Sequence, residues 1–152
     1  MHFSLNQIYG ANLNDREAVE EYIFSGLHII YLQHQYFRGL FMETRQNVEN
    51  KLRKLGANGC LRGYQYAIDA ICLLVEDEQY LHKIGAVYQK VAKRNGIPAA
   101  RVERSIRVLI DYVFNKGNHD LLCTYAGWPL SKQPTNKAFL EMLSYAVAHD
   151  NA

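Results

Sequence analysis

Apolar residues recur three and four positions apart along almost the whole chain, whereas the short apolar-polar alternation of strands is nearly absent. This periodicity predicts an all-α protein. Asn14 or Asp15 can cap the first helix, and glutamates follow where the positive end of the helix dipole favours them. The apolar stripe of this helix consists of Val19, Ile23, Leu27, Ile30, Tyr31, Phe37, Leu40 and Phe41. Gly26 and Gly39 are candidate kinks within it.

Glycines, prolines and capping residues divide the rest of the chain into further helices. The pattern predicts helices over residues 48–55, 64–75, 77–84, 87–95, 98–116 and 137–148. Asp77 is a candidate cap, the pair Gly117-Asn118 ends the longest helix, and Thr135 or Asn136 caps the last one. A loop with Gly127, Trp128, Pro129 and Pro134 is expected between these two helices. Composition shifts near residue 50, which predicts one segment over 1–50 and a domain over 51–152.

The junction near residue 96 has the spacing of a helix-turn-helix. Ala92 permits a close helix contact, Gly96 tolerates the positive φ of a tight turn, and Ile97 is an apolar plug. Pro98 suits the first turn of the second helix, where its missing N–H leaves no bond unmade. An ordinary αα-hairpin also favours glycine and proline in its turn, so the spacing by itself leaves both interpretations open.

The second of these helices separates an apolar face from a charged one. At 3.6 residues per turn, the residues that share the apolar face are Val102, Ile106, Leu109, Ile110 and Val113. Arg101, Glu103, Arg104 and Arg107 point away from it. Arginines near a helix N-terminus oppose the helix dipole, yet these turns meet base edges in DNA-binding helix-turn-helix proteins. Each arginine alone fits a solvated surface charge; the set favours a DNA interface.

Positive charge is concentrated around the same region. The formal net charge is only +2, but residues 83–118 carry eight basic against two acidic residues, whereas residues 1–50 carry three against six. A local excess of this kind is what a DNA-contacting face requires. Lys90, Lys93, Arg94 and Lys116 are therefore candidate phosphate contacts, although each also fits a plain surface charge.

Other classes of function are disfavoured. Three scattered cysteines indicate reduced thiols and a cytoplasmic protein, and neither a secretory signal nor an apolar stretch long enough to span a membrane is present. The six histidines show no metal-binding spacing, and no nucleophile or phosphate-loop motif occurs. We therefore expect no metal, no cofactor and no enzymatic activity. His119-Asp120 is interpreted as a helix C-terminal charge and cap rather than a catalytic pair.

Residues from about 48 to 148 resemble the C-terminal DNA-binding effector domain of the stage-zero sporulation response regulator, a sporulation initiation factor. The segments that carry the resemblance are Leu61-Arg62-Gly63-Tyr64, Ala67-Ile68, Val91-Ala92-Lys93, Arg101-Val102-Glu103-Arg104-Ser105-Ile106-Arg107, Gly117-Asn118 and Pro134-Thr135-Asn136. The resemblance implies about six helices and sequence-specific binding of promoter DNA, often as tandem dimers. It also implies base reading by Arg101, Glu103 and Arg104, with Arg107 as a backbone or groove contact.

The chain departs from that family at three points. Residues 1–50 are too short and too helical for the family's receiver domain, so phosphoryl control is not expected. Ala100 stands where serine is usual, and Gln133 stands where lysine often precedes Pro-Thr-Asn. Each substitution removes a phosphate or cap contact, so target sequence and affinity need not follow the family.

The apolar stripe of the N-terminal segment exceeds what a small domain usually exposes. It can form a homodimer interface, which we favour, or pack back onto the C-terminal domain; a ligand pocket lined by Tyr31, Tyr36 and Phe37 is unsupported. The working hypothesis is a helical bundle containing a helix-turn-helix, with an N-terminal helical extension, that binds double-stranded DNA as a dimer. The alternative is a protein-interaction adaptor or antagonist that keeps this fold without binding DNA.

Overall fold

The computed structural model describes residues 16–150, and it confirms the all-α fold. The helices are α1 (Arg16–Lys54), α2 (Gly63–Glu76), a 3-10 helix (Glu78–His82), α3 (Ile84–Asn95), α4 (Ala99–Lys116), α5 (His119–Ala126) and α6 (Asn136–Ala148). No strand occurs within this range. The predicted caps Asn14 and Asp15 lie outside the described residues.

Helix α1 is continuous over 39 residues and belongs to two compact units, Met1–Phe41 and Met42–Ala152. Gly26 and Gly39 lie inside this helix and do not interrupt it. In the first unit, large apolar side chains of α1 are exposed, among them Phe24 at 73% and Tyr36 at 70%. The second unit already begins within α1, and Val48, Leu52 and Leu55 are fully buried there.

Helix α2 is the central element of the second unit and packs against α3, α4 and α6. Ten of its fourteen residues are buried, from Gly63 to Leu74, so the sequence shows a nearly continuous apolar run rather than a one-sided stripe. Helix α4 also packs on α3, α5 and α6. Its five buried residues are Val102, Ile106, Leu109, Ile110 and Val113, the set predicted from the 3.6-residue period.

Two glycines allow the chain to pass close to itself at the end of α1. Gly56 has φ 93°, a left-handed conformation that side chains other than glycine rarely adopt. At Gly117 a Cβ atom would lie 2.2 Å from the carbonyl oxygen of Leu55, and that oxygen accepts a hydrogen bond from the amide of Asn118 at 3.0 Å. The end of α1 and the end of α4 are therefore joined by direct backbone contact.

Two local predictions are corrected. The region after Gly117 contains a further helix, α5, whose N-terminus is capped by the Asn118 side chain accepting from the amide of Leu121 at 3.0 Å. His119 and Asp120 therefore open a helix instead of closing one, and Asp120 lies in its first turn, where an acid is favourable. Asp77 does act as a cap, but of the 3-10 helix, and α3 begins separately at Ile84.

Candidate nucleic-acid interface

Helices α3 and α4 are joined by the tight turn that the sequence predicted. Gly96 closes α3 in the left-handed region, at φ 63° and ψ 35°, and its amide donates to the carbonyl of Ala92. The amide of Ile97 donates to the same carbonyl at 3.1 Å. Pro98, with φ −67°, immediately precedes the first residue of α4. The two helices pack against each other, and Val91 and Ala92 of α3 and Val102 of α4 are buried.

The charged face of α4 points to solvent. Arg101, Arg104 and Arg107 are exposed and Glu103 is half-buried. Because Val102 and Ile106 on the opposite side are fully buried, rotation of the helix about its axis would remove core packing. The arginines therefore project from a helix whose orientation is set by the core.

Two backbone contacts hold this part of α4 from either side. At Gly63, the first residue of α2, a Cβ atom would lie 2.2 Å from the carbonyl oxygen of Ser105, so only glycine permits the observed approach of α2. On the other side, the Asn136 side chain donates to the carbonyl of Glu103 at 2.9 Å. The neighbouring Thr135 side chain caps α6 by accepting from the amide of Ala138 at 3.2 Å.

A shallow groove lies on each side of the exposed face of α4. The first has a volume of about 510 Å³ and is bounded by residues 60–63 and by Arg101, Arg104, Ser105, Val108 and Leu109 of α4. The second, of about 340 Å³, lies between Glu103 and Arg107 of α4 and residues 133–137. Arg62 and Lys137 thus flank the helix. Sequence reasoning did not select them as site residues, because their proximity to α4 arises only on folding.

The arginines differ in their pairing. Arg107 Nη2 lies 2.7 Å from Glu103 Oε1, but the two side chains are 63% and 44% exposed. An exposed pair one helical turn apart contributes only about 0.3–0.5 kcal/mol, so it can open readily. Within residues 16–150, neither Arg101 nor Arg104 forms an ion pair. Their guanidinium groups are available to an external acceptor.

The other predicted contacts occupy different places. Lys93 and Arg94 are exposed in the last turn of α3, and Lys90 is exposed with its ammonium 4.7 Å from the ring centre of Tyr80. Lys116 is exposed at the far end of α4, roughly 22 Å along the axis from Arg101 at 1.5 Å per residue. The structure therefore groups Arg101 and Arg104 in one groove and Glu103 and Arg107 in the other, and separates Lys116 from them.

A buried carboxylate of α2 is hydrogen-bonded to the residue before the turn between α3 and α4. Asp69 of α2 is 9% exposed and accepts from Arg45 at 2.9 Å, Gln65 at 3.2 Å and Asn95 at 3.3 Å. Asn95 is the last residue of α3, and it also donates to the carbonyl of Val91 at 2.8 Å. A buried polar group needs hydrogen-bond partners, and these bonds join α1 and α2 to the residue before the turn.

Tyr88 of α3 lies close to this interface. Burial raises the pKa of its phenol, while the Asn136 side chain counteracts that shift through a hydrogen bond. Both groups stay neutral near pH 7, so they add no charge beneath α4.

Among the described residues, no group of three or more His, Cys, Asp or Glu side chains is arranged to hold a metal ion. No helix among them is long and apolar enough to cross a membrane.

A sequence profile for the family described as "Sporulation initiation factor Spo0A C terminal" matches residues 48–147. The matched region includes the last turns of α1, the whole helix-turn-helix and almost all of α6. The chain belongs to this family. Residues 48–147 are therefore a DNA-binding domain of a sporulation transcription factor, as the resemblance implied.

The motifs of the Spo0A C-terminal domain have clear physical roles in this chain. Gly63 lets α2 approach α4, Gly117 lets α4 approach α1, and Asn136 bonds α6 to α4. Ala100 is exposed beside Arg101, and Gln133 is half-buried at the edge of the second groove. Neither of these two positions is among the buried core residues.

Proposed function

We propose that this protein binds double-stranded DNA in a sequence-specific manner, with α4 as a recognition helix in the major groove. The observation that carries the proposal is the exposure of Arg101 and Arg104 on the first turns of α4, without an internal ion pair in the described chain. The major groove admits one α-helix, and the N-terminal turns of that helix reach the base edges.

In this proposal Arg101, Glu103 and Arg104 read bases. An arginine can donate two hydrogen bonds to O6 and N7 of guanine, and a glutamate can accept one from N4 of cytosine. Arg107 lies 2.7 Å from Glu103 in the unbound chain, and because this exposed pair opens readily, Arg107 can instead reach a nearby phosphate. Lys90, Lys93, Arg94 and Lys116 provide affinity through phosphates and no sequence choice.

Replacing Arg104 with alanine tests the base-reading role. We expect discrimination at one base pair to fall by about 1–3 kcal/mol, because the bidentate contact is lost. Fluorescence-anisotropy titrations measure this discrimination against two duplexes, one selected for tight binding from a random pool (the selected duplex) and one of random sequence (the random duplex). Equal losses on both duplexes would remove Arg104 from the base-reading set.

Lys93→Ala is the matched comparison. It should weaken binding to both duplexes alike and lower the slope of log affinity against log salt by about one, since one phosphate contact is lost. An unchanged slope would remove Lys93 from the phosphate set. If the unaltered protein bound neither duplex at low salt, the adaptor alternative would replace DNA binding altogether.

We further propose that α1 joins two copies of the chain through residues 22–41. Ile23, Leu27, Ile30, His34, Phe37 and Phe41 recur at alternating steps of four and three, the spacing of a two-helix seam. The exposed aromatic and aliphatic side chains of this stretch amount to on the order of 1,000 Å². This area is spread around the helix and exceeds the patches of about 300–600 Å² found on monomers, which favours coverage of this segment by a partner.

The double variant Leu27→Glu, Ile30→Glu tests this interface, with Gln35→Glu as a control outside the seam. Sedimentation equilibrium should show a dimer for the unaltered chain and the control, and a monomer for the double variant. A monomeric unaltered chain at tens of micromolar would contradict the proposal. As a transcription regulator the dimer would act at the chromosome, in the cytoplasm.

A further inference from the structure

The groove between the α1–α2 loop and the first turns of α4 contains three arginines from two separate parts of the chain. Arg62 lies on the loop side, and Arg101 and Arg104 lie on the α4 side. We call it the Arg62 groove. Its remaining lining residues are Cys60, Leu61, Gly63, Ser105, Val108 and Leu109, none of which is acidic.

No internal carboxylate neutralises this groove in the described part of the chain. Arg62, Arg101 and Arg104 all lack an ion pair within residues 16–150, whereas the exposed Arg107 has one and the half-buried Arg45 has two. Three unpaired cations facing one depression repel each other, so an anionic partner placed there would lower the electrostatic energy.

The loop that carries Arg62 is ordered by its own hydrogen bonds. The Asn58 side chain accepts from the amide of Cys60 at 2.9 Å, and the Asn58 carbonyl accepts from the amide of Leu61 at 3.1 Å. The next residue after Arg62 is Gly63, which packs directly on the Ser105 backbone. Arg62 is thus held beside α4 at a defined position before any ligand arrives.

We infer that the Arg62 groove receives one phosphate strand of the same duplex whose bases α4 reads. A helix in the major groove, about 12 Å wide, has a phosphate backbone along each side, so a cation on a neighbouring element meets that backbone. Arg62 then acts as a phosphate contact that sets the position of α4 and gives affinity for every sequence. The inference rests on the proposed function.

Arg62→Ala tests the contact, with Arg62→Lys as the conservative variant and Lys54→Ala as the control. Lys54 is exposed and lies near Asp150, and it does not line the groove. We expect Arg62→Ala to lose about three- to tenfold affinity for selected and random duplex alike and to lower the salt slope by about one. Arg62→Lys should keep most of the affinity, and Lys54→Ala should match the unaltered chain.

Cys60 provides a second readout that needs no substitution. It is exposed on the wall of the groove, whereas Cys123 is half-buried outside it and accepts a hydrogen bond from the amide of Leu130 at 3.3 Å. A saturating duplex should slow alkylation of Cys60 several-fold and leave Cys123 unchanged. Inorganic phosphate at millimolar concentration should leave the alkylation rates of Cys60 and Cys123 unchanged, because the groove receives a strand and not a free anion. Equal slowing of Cys60 by inorganic phosphate and by the duplex would contradict the proposal.

The outcomes separate the two proposals. If the unaltered chain binds duplex DNA but Arg62→Ala binds it equally well, or if Cys60 reacts at the same rate with and without DNA, the Arg62 groove is not part of the interface and α4 can still read DNA. A loss for Arg62→Ala confined to the selected duplex would also overturn it, because that result marks a base contact. Failure of the unaltered chain to bind any duplex would refute the proposed function itself.

Discussion

Replacing Gly63 with alanine perturbs the contact that sets the distance between α2 and α4. The added Cβ atom would lie 2.2 Å from the Ser105 oxygen, 2.7 Å from its carbonyl carbon and 3.1 Å from the Ile106 nitrogen. All three atoms belong to backbone and cannot rotate away, so the helices must separate by about 1 Å, which disturbs the close-packed core. Overpacking of this kind costs about 1–3 kcal/mol.

The preference of helices for alanine over glycine, at most about 1 kcal/mol, offsets part of that cost. We therefore expect Gly63→Ala to lower the free energy of unfolding by about 1–2 kcal/mol, which corresponds to a fall in Tm of about 4–8 °C for a unit of this size. Urea titration measures the free energy of unfolding and thermal unfolding measures the Tm, and both are followed by the circular dichroism of the helices.

Gly59→Ala is the matched control for this prediction. Gly59 precedes α2 in the same loop, has no positive φ and would place its Cβ with nothing within 4 Å, so the substitution should change stability by less than about 0.5 kcal/mol. If Gly63→Ala and Gly59→Ala proved equally stable, the close approach of α2 to Ser105 would not hold in solution. The rigid placement of Arg62 would then lose its basis.

Two further predictions concern bonds outside this contact. Asn136→Ala removes the donor to the Glu103 carbonyl and should destabilise the domain by about 1–2 kcal/mol in urea titration. The control is Asn115→Ala, because the Asn115 amide bonds only within α4, and it should cost under about 0.5 kcal/mol. Equal costs for the two variants would show that Asn136 does not join α6 to α4. The Lys51 hydrogen bond lowers the pKa of Asp150, so its stabilisation is present above the ordinary aspartate pKa and is lost as pH falls through the lowered value. Asp150→Asn should thus lower the Tm at pH 7, and the difference from the unaltered chain should shrink as the pH falls below the ordinary aspartate pKa. A difference that stays the same in acid would refute this assignment.

Helix α4 was the most predictable part of the fold. Most of its large apolar residues follow one helical period, and Gly96 and Gly117 flank its two ends, so its five buried positions were correctly predicted. Val108 is apolar but lies on the exposed side. Helix α5 was not predicted, because it is only eight residues long and buries just Leu122 and Ala126, too few positions for a periodic signal. The continuity of α1 was also missed, since an isolated glycine weakens a helix without breaking it.

The sequence by itself determined which side chains face the core and which carry the charge, because both follow from local periodicity along one chain segment. It thereby singled out Arg101 and Arg104, and the resemblance added the family. Only the tertiary structure decided which distant residues meet them: Arg62 beside α4, Asn136 on the Glu103 carbonyl and Asp69 beneath the turn. These contacts join segments that are far apart in the sequence, 33 residues in the case of Asn136 and Glu103. They depend on how helices pack in three dimensions, which no local pattern encodes.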